Sequence, residues 1–283
     1  MAMHSHIFEF EYPRVLSIAG SDSGGGAGIQ ADLKTIASLG CYGMTAITAL
    51  TAQNTLGVRS IHGVPPTMLR DQIDAVMEDI GVHAVKIGML HSPDIVLTVA
   101  EAIDRHALTS VVLDPVMVAT SGAVLIDSPA IAVLVRELFH RSTVVTPNLD
   151  EAALLVGRPL EDERAMEDAV REMIVMGARA VLLKGGHLAG DVVSDLLMTA
   201  DDQAHWMRAP RIVTTNTHGT GCTLSSAMAA YLALGQPLRE AVLGARAYVR
   251  AALAAGSGVR TGAGGGPLNH GHAPNAMQLR PLQ

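Results

Sequence analysis

Short apolar, β-branched runs alternate with helix-period stretches along most of this chain. Val15–Ala19, Thr45–Ala52, Ala84–Ile87, Val111–Leu113, Thr143–Val145 and Ala180–Leu183 read as buried strands. Between them the 3.6-residue period predicts helices over Ile29–Leu39, Met68–Asp79, Ile95–His106, near Ile131–Phe139, after Asn148, and over Arg164–Met176. Val192–Thr199 and Trp206–Val213 are expected to form an antiparallel edge. Two closing helices follow, the first starting near Cys222 and stopped by Gly235-Gln236-Pro237. This alternation predicts an α/β fold, a mainly parallel sheet with helices on both faces. No linker or repeat divides the chain, so residues 1–283 are expected to form a single domain. Its tail, 256–283, carries "GAGGGPLNHGHAPN" and is too rich in Gly, Pro and His for regular structure. That tail is either a frayed terminus or a loop near a nucleotide.

Composition narrows the function. Of 283 residues, 49% are hydrophobic and 17% charged, which suits a globular core, and no run reaches the ~18 uninterrupted apolar residues of a membrane span. The start, MAMHSHIFEFEYP, lacks the pattern of a signal peptide, and two cysteines are too few for a disulfide framework. A cytoplasmic location is expected. A net charge of −7 and 3% aromatics argue against nucleic acid. Lysine is scarce: only Lys34, Lys86 and Lys184 occur among the 20 basic residues.

In open parallel sheets, ligands bind beyond the carboxyl ends of the strands, and several unusual stretches follow strands there. "IAGSDSGGGAGIQADLKT" (Ile18–Thr35) has neither the Lys-Ser/Thr of a Walker A loop nor GxGxxG spacing. Its glycines let a ligand approach bare backbone, or make an ordinary turn. "TALTAQNT" ends a strand in Gln53, whose amide offers a donor beside an acceptor. That pair matches an amino group next to a ring nitrogen; otherwise Gln53 caps its own turn. In "VVTPNLDEAALLVG", Asn148 is a suitable N-cap, and Asp150 and Glu151 fall in the first helical turn. Acids there complement the helix dipole, the reading this segment favours by itself, and are also what Mg²⁺ uses alongside phosphate oxygens. "VLLKGGH" ends a strand in Lys184 beside two glycines, placing a mobile point charge suited to phosphate where a solvated lysine is the alternative. "TTNTHGTGCTLSSA" puts Gly219, Thr220, Gly221 and Cys222 at a helix start. Leading amides there attract anions and acidify thiols, although a small buried cysteine is the simpler use of that position.

Taken in order, these stretches, with "KIGML" and "LDPVM", resemble the hydroxymethylpyrimidine/phosphomethylpyrimidine kinases of thiamine biosynthesis, within the ribokinase-like superfamily. The resemblance runs from about Val15 to Gly235. It implies a ribokinase-like fold, ATP and Mg²⁺ as cofactors, and a homodimer. It also implies phosphorylation of the hydroxymethyl group of 4-amino-5-hydroxymethyl-2-methylpyrimidine, then of the monophosphate to the diphosphate. By the family's pattern Gln53 holds the pyrimidine, and Gly20, Ala27, Asp32, Met89 and Val116 line its pocket. Asn148, Glu151, Lys184, Thr217, Gly219, Thr220 and Gly221 serve the nucleotide phosphates, with Glu151 and Asp114 toward the metal. The amides of Gly219–Cys222 form an anion hole, and Cys222, expected to be partly thiolate, stands where many ribokinase-like sugar kinases carry an aspartate base. Two rivals remain at this stage: a pyridoxal kinase, and a non-catalytic pyrimidine sensor.

Overall fold

The computed structural model describes residues 8–117, 126, 128–186, 188–201 and 204–282. The strands are β1 (Phe10–Glu11), β2 (Arg14–Asp22), β3 (Tyr42–Asn54), β4 (Gly57–Gly63), β5 (Ala84–Ile87), β6 (Val111–Leu113), β7 (Val144–Val145), β8 (Ala180–Leu183), β9 (Val192–Thr199), β10 (His205–Pro210) and β11 (Arg280–Pro281). The helices are α1 (Gly28–Ser38), α2 (Pro66–Asp79), α3 (Pro93–Arg105), α4 (Ser128–Leu138), α5 (Leu149–Val156), α6 (Glu163–Val175), α7 (Thr220–Ala233) and α8 (Leu238–Gly256). One nine-stranded sheet has the order β10-β9-β8-β7-β6-β5-β2-β3-β4. Strands β3, β2, β5, β6, β7 and β8 run parallel, and β4, β9 and β10 are antiparallel additions at the two edges.

Even the strands buried on both faces sort their residues by pleat. Leu16, Ile18, Val85, Ile87, Val111, Leu113, Val181 and Leu183 pack on one face with α2 to α6. Val15, Ala84, Val112, Ala180 and Leu182 pack on the other with α1, α7 and α8. Connections from β2 and β5 leave in opposite directions along the sheet, so their carboxyl ends open a crevice at a topological switch point.

The expected elements are present, and the structure adds others. Gly57–Gly63 pairs antiparallel with β3, a hairpin that its largely exposed residues conceal from any periodicity test. The expected edge strand stops at Pro210 rather than Val213. The tail is not frayed. Asn275 N donates to Ser38 O and Gln278 N to Gly40 O, both at 2.8 Å, and β11 pairs with β1. Two of its own residues, His270, 5% exposed, and Leu268, 4% exposed, are buried. Backbone hydrogen bonds to fixed partners replace the local regularity that its composition denies.

Candidate active site

The carboxyl ends of five parallel strands surround one cavity of about 680 Å³. Four of these ends deliver a polar group because the apolar run stops there. β2 leads into Gly20–Asp22, β6 into Asp114, β7 into Asn148 and β8 into Lys184, while Gly88 and Met89 follow β5. The cavity is lined by Gly20, Asp22, Ala27, Gln53, Lys86, Met89, Asp114, Val116, Asn148, Glu151, Lys184 and Thr217 through Cys222, among others. Most sequence-selected residues therefore meet. His187 lies outside the described residues.

Lys184 Nζ donates to Asp114 Oδ1 at 2.8 Å. The Asp114 carboxylate also accepts from Thr146 Oγ1 at 3.1 Å and Ser225 Oγ at 3.2 Å. Burial works against charge on Asp114, but Lys184 and Lys86 hold its carboxyl below the usual range. The reciprocal effect keeps Lys184 above its ordinary value: burial opposes its charge, and Asp114 and Glu151 more than compensate. Asn148 caps α5 as its sequence predicts. Its side chain accepts from Glu151 N at 2.9 Å, and Glu151 Oε2 accepts from Asn148 N at 2.8 Å, a capping box. Burial pushes the Glu151 carboxyl up to about 7, against the pull of Lys184 and with the push of Asp114.

Helix α7 begins at the cavity. Gly219 has φ +84°, and a Cβ there would collide with the carbonyl of Gly26. Only glycine permits this backbone-to-backbone approach. A Cβ at Gly221 would stand 3.1 Å from Lys184 Nζ and 3.6 Å from Asp114 Oδ2, so helix start and ammonium face each other across one absent side chain. The four-amide anion hole is corrected in one respect. Thr220 N turns back to Thr217 O at 3.2 Å and is spent there, while Thr223 N bonds Gly219 O at 2.8 Å as the helix begins.

Two further expectations need correction. Asp32 does not line the cavity. It lies fully buried beneath it, accepting from Ser226 Oγ at 2.6 Å and from Lys86 Nζ at 2.9 Å, because it sits on the sheet-facing side of α1. Cys222 is not a low-pKa thiol. Burial pushes it up to about 11; Lys86 and the Gly28 backbone hydrogen bond pull down, while Asp32 and Asp114 push up. The helix-start argument for acidity loses to desolvation and two carboxylates.

The sequence reading also missed functional neighbours. Asp22 organises the glycine loop: its carboxylate accepts from Gly24 N at 2.7 Å, Gly26 N at 3.0 Å and Ala27 N at 2.9 Å. His218 Nε2 lies 2.9 Å from Asp22 Oδ2 and 3.3 Å from Gln53 Nε2. Burial would raise the Asp22 carboxyl, but these partners hold it below the usual carboxylate range. An Asx-turn signal, Asp followed by small residues, marks Asp22 in the sequence. Nothing local marks its pairing with His218. At the far end, Val193, Ile212, Val249 and Leu253 give the cavity an apolar wall. Arg246 pairs with Asp195 at 2.7 Å, and Arg211 donates to the carbonyls of Gly186, Leu188 and Gly190. None of the described tail residues lines the cavity. The tail braces it from behind through Asn216, which donates to Gly256 O and Val259 O, both at 2.7 Å, and accepts from Gly266 N at 3.0 Å.

The comparisons agree with this geometry. The sequence profile of the phosphomethylpyrimidine kinase family matches residues 22–269. The hydroxymethylpyrimidine/phosphomethylpyrimidine kinase of Rhizobium meliloti is 51% identical over 258 residues, covering 91% of this chain and 96% of that protein. The thiamine biosynthesis bifunctional protein ThiED of Geobacter sulfurreducens is 53% identical over 262 residues; the match covers 92% of this chain and about half, 53%, of the relative. Among solved structures, the pyridoxal kinase of Staphylococcus aureus, in complex with AMP-PCP and pyridoxal, superposes with a TM-score of 0.85 at 32% identity, covering 96% of this chain and 100% of that one. Strand order, the polar groups at the strand ends and these likenesses converge: the chain belongs to the phosphomethylpyrimidine kinase family, the ribokinase-like hydroxymethylpyrimidine/phosphomethylpyrimidine kinases of thiamine biosynthesis.

Proposed function

We propose that both of the family's phosphoryl transfers occur in this one cavity, with ATP as donor and with Lys184, the head of α7 and Cys222 at the reacting atoms. The observation that carries this is the meeting of an ammonium, a glycine-lined helix start and a thiol where five strands end. Such transfers depend on positioning and charge stabilisation rather than on covalent chemistry. Lys184 offsets charge growing on the phosphate oxygens, and the Gly221 and Cys222 amides receive the transferred group. Cys222 takes the proton of the acceptor alcohol. Gln53 holds the ring, with Gly20, Ala27, Met89 and Val116 around it. The apolar wall of Val193, Ile212, Val249 and Leu253 suits the nucleotide base.

Asp114 and Glu151 are the residues that would hold Mg²⁺. Two carboxylates suit a hard cation whose other ligands are phosphate and water, and the raised Glu151 carboxyl marks a buried charge that a dication would stabilise. The bound ion would neutralise phosphate charge. A single cytoplasmic domain and a homodimeric assembly complete the reading, and no helix among the described residues is long and apolar enough to cross a membrane.

The test is mass analysis of products from the aminopyrimidine alcohol, ATP and Mg²⁺, with a chelated control. Monophosphate followed by diphosphate is expected, and neither with chelator. Pyrimidine binding without ATP consumption would instead identify a sensor, and preferential phosphorylation of pyridoxal a pyridoxal kinase.

A further inference from the structure

We propose that the Asp22–His218 pair fixes which end of the Gln53 amide faces the substrate ring, and thereby makes the cavity selective for an aminopyrimidine. This rests on the reading of Gln53 as the ring's partner and adds to it an orientation and a cause.

The argument is an accounting of hydrogens around the Gln53 side chain. The Asp22 carboxylate accepts three backbone amides and also faces His218 Nε2 at 2.9 Å. A carboxylate only accepts, so His218 Nε2 carries a hydrogen. Gln53 reaches that same nitrogen at 3.3 Å. With its Nε2 there, two N–H groups would oppose each other. On the other side of the amide, Thr51 Oγ1 donates its one hydrogen to Ser21 O at 2.9 Å, so its 3.3 Å approach to the Gln53 oxygen would set two acceptors together. Exchanging the amide's ends resolves both contacts. Gln53 Oε1 then shares the single His218 Nε2 hydrogen with Asp22 in a three-centre bond, and Gln53 Nε2 donates to Thr51.

The remaining capacity of the amide points into the cavity in a fixed sense. One lone pair is free on the His218 side and one N–H on the Thr51 side. An amino group on a ring carbon satisfies the first, and the adjacent ring nitrogen the second. In the aminopyrimidine alcohol the hydroxymethyl carbon neighbours the amino-bearing carbon, so this orientation directs the alcohol toward the His218 side. The chain continues from His218 directly into Gly219 and Cys222, where transfer takes place. His218 and Asp22 act through Gln53 and are positioning residues.

The 4-oxo counterpart of the substrate tests this, because its edge presents an acceptor and an N–H in the opposite order. Dissociation constants for both compounds, with kcat and KM for the first transfer, are measured in wild type, His218→Phe, Gln53→Ala and the double variant. Wild type should prefer the amino compound by about 10²-fold, two mismatched bonds at roughly tenfold each. His218→Phe keeps a ring but loses the donor, so the amide can turn over. The preference should fall at least ~10-fold, through KM, with affinity for an ATP analogue unchanged. In the Gln53→Ala background, His218→Phe should change the preference no further. A preference retained by His218→Phe but lost in Gln53→Ala overturns the positioning role while leaving Gln53 as the ring's partner. A preference retained by Gln53→Ala overturns both. If His218→Phe does not fold at the assay temperature, His218→Gln takes its place, since its own amide can present either a donor or an acceptor and so fixes neither end of Gln53; the same fall is expected, and an unchanged preference refutes the proposal.

Discussion

Replacing Cys222 with alanine separates the two transfers. The first acceptor is a neutral alcohol that must lose its proton; the second is a phosphate already ionised near neutral pH. A base therefore helps only the first. The structure sets the pH dependence. The Cys222 thiol is pushed up to about 11 by burial, against the pull of Lys86. Only about 10⁻⁴ of sites carry the thiolate at pH 7, and that fraction grows tenfold per pH unit. The sign follows: a base works unprotonated, so the wild-type first transfer should climb with a slope near one between about pH 7 and 9. In Cys222→Ala that limb should be flat, and the rate at pH 8 lower by about 10²-fold or more, the scale of general-base catalysis. The second transfer should rise only up to the second phosphate ionisation, near pH 6, and lose far less in the variant. Single-turnover rates by rapid quench, started separately from the alcohol and from its monophosphate, give both profiles. Equal losses in the two steps, or a flat wild-type profile for the first, would refute the base role and leave Cys222 as a packing residue of α7.

Two further expectations concern Lys184 and Gly219. Lys184→Met should lower turnover by at least ~10² with little change in pyrimidine affinity, since the ammonium acts on charge that grows in the transition state; near-normal turnover in steady-state assays would make it only the partner of Asp114. Gly219→Ala should abolish most transfer and lower the thermal midpoint, because φ +84° and the Gly26 carbonyl leave no room for a Cβ, whereas Gly258→Ala, with open space around it, should match wild type in both measurements.

What the sequence revealed, and what it hid, divides along physical lines. Val111–Leu113 and Ala180–Leu183 match their strands end for end because burial on both faces demands an unbroken apolar run, and Ala84–Ile87 does so too although its run is interrupted by Lys86, which is buried against Asp32. The residues that stop such runs, Asp114 and Lys184, then mark the cavity. Gly57–Gly63 stayed hidden because an edge strand exposed to solvent needs no apolar pattern. Asp32 looked like a pocket residue because the motif carrying it surrounds the pocket; its place on α1 turns it inward to Lys86. The rise of the Cys222 thiol depends on neighbours that are remote in sequence, Asp32 and Asp114, and no local rule could include them. Composition correctly denied the tail regular structure, but could not show the carbonyls of Ser38 and Gly40 waiting for its amides.

The contact between His218 and Asp22 joins residues 196 apart in the chain. Gly219 likewise rests on Gly26, so one glycine-rich wall of the cavity is synthesised near the start of the sheet-and-helix body and the other near its end, with α8 still to follow. The sheet and its α2–α6 layer can assemble while the chain is still growing, since their neighbours in space are mostly neighbours in sequence. The cavity cannot. Its ring-reading corner and its phosphate-reading corner both wait for α7 to dock against α1. Catalytic competence in this fold therefore waits for α7, because any nascent form that ends before His218 and Gly219 lacks both corners of the cavity.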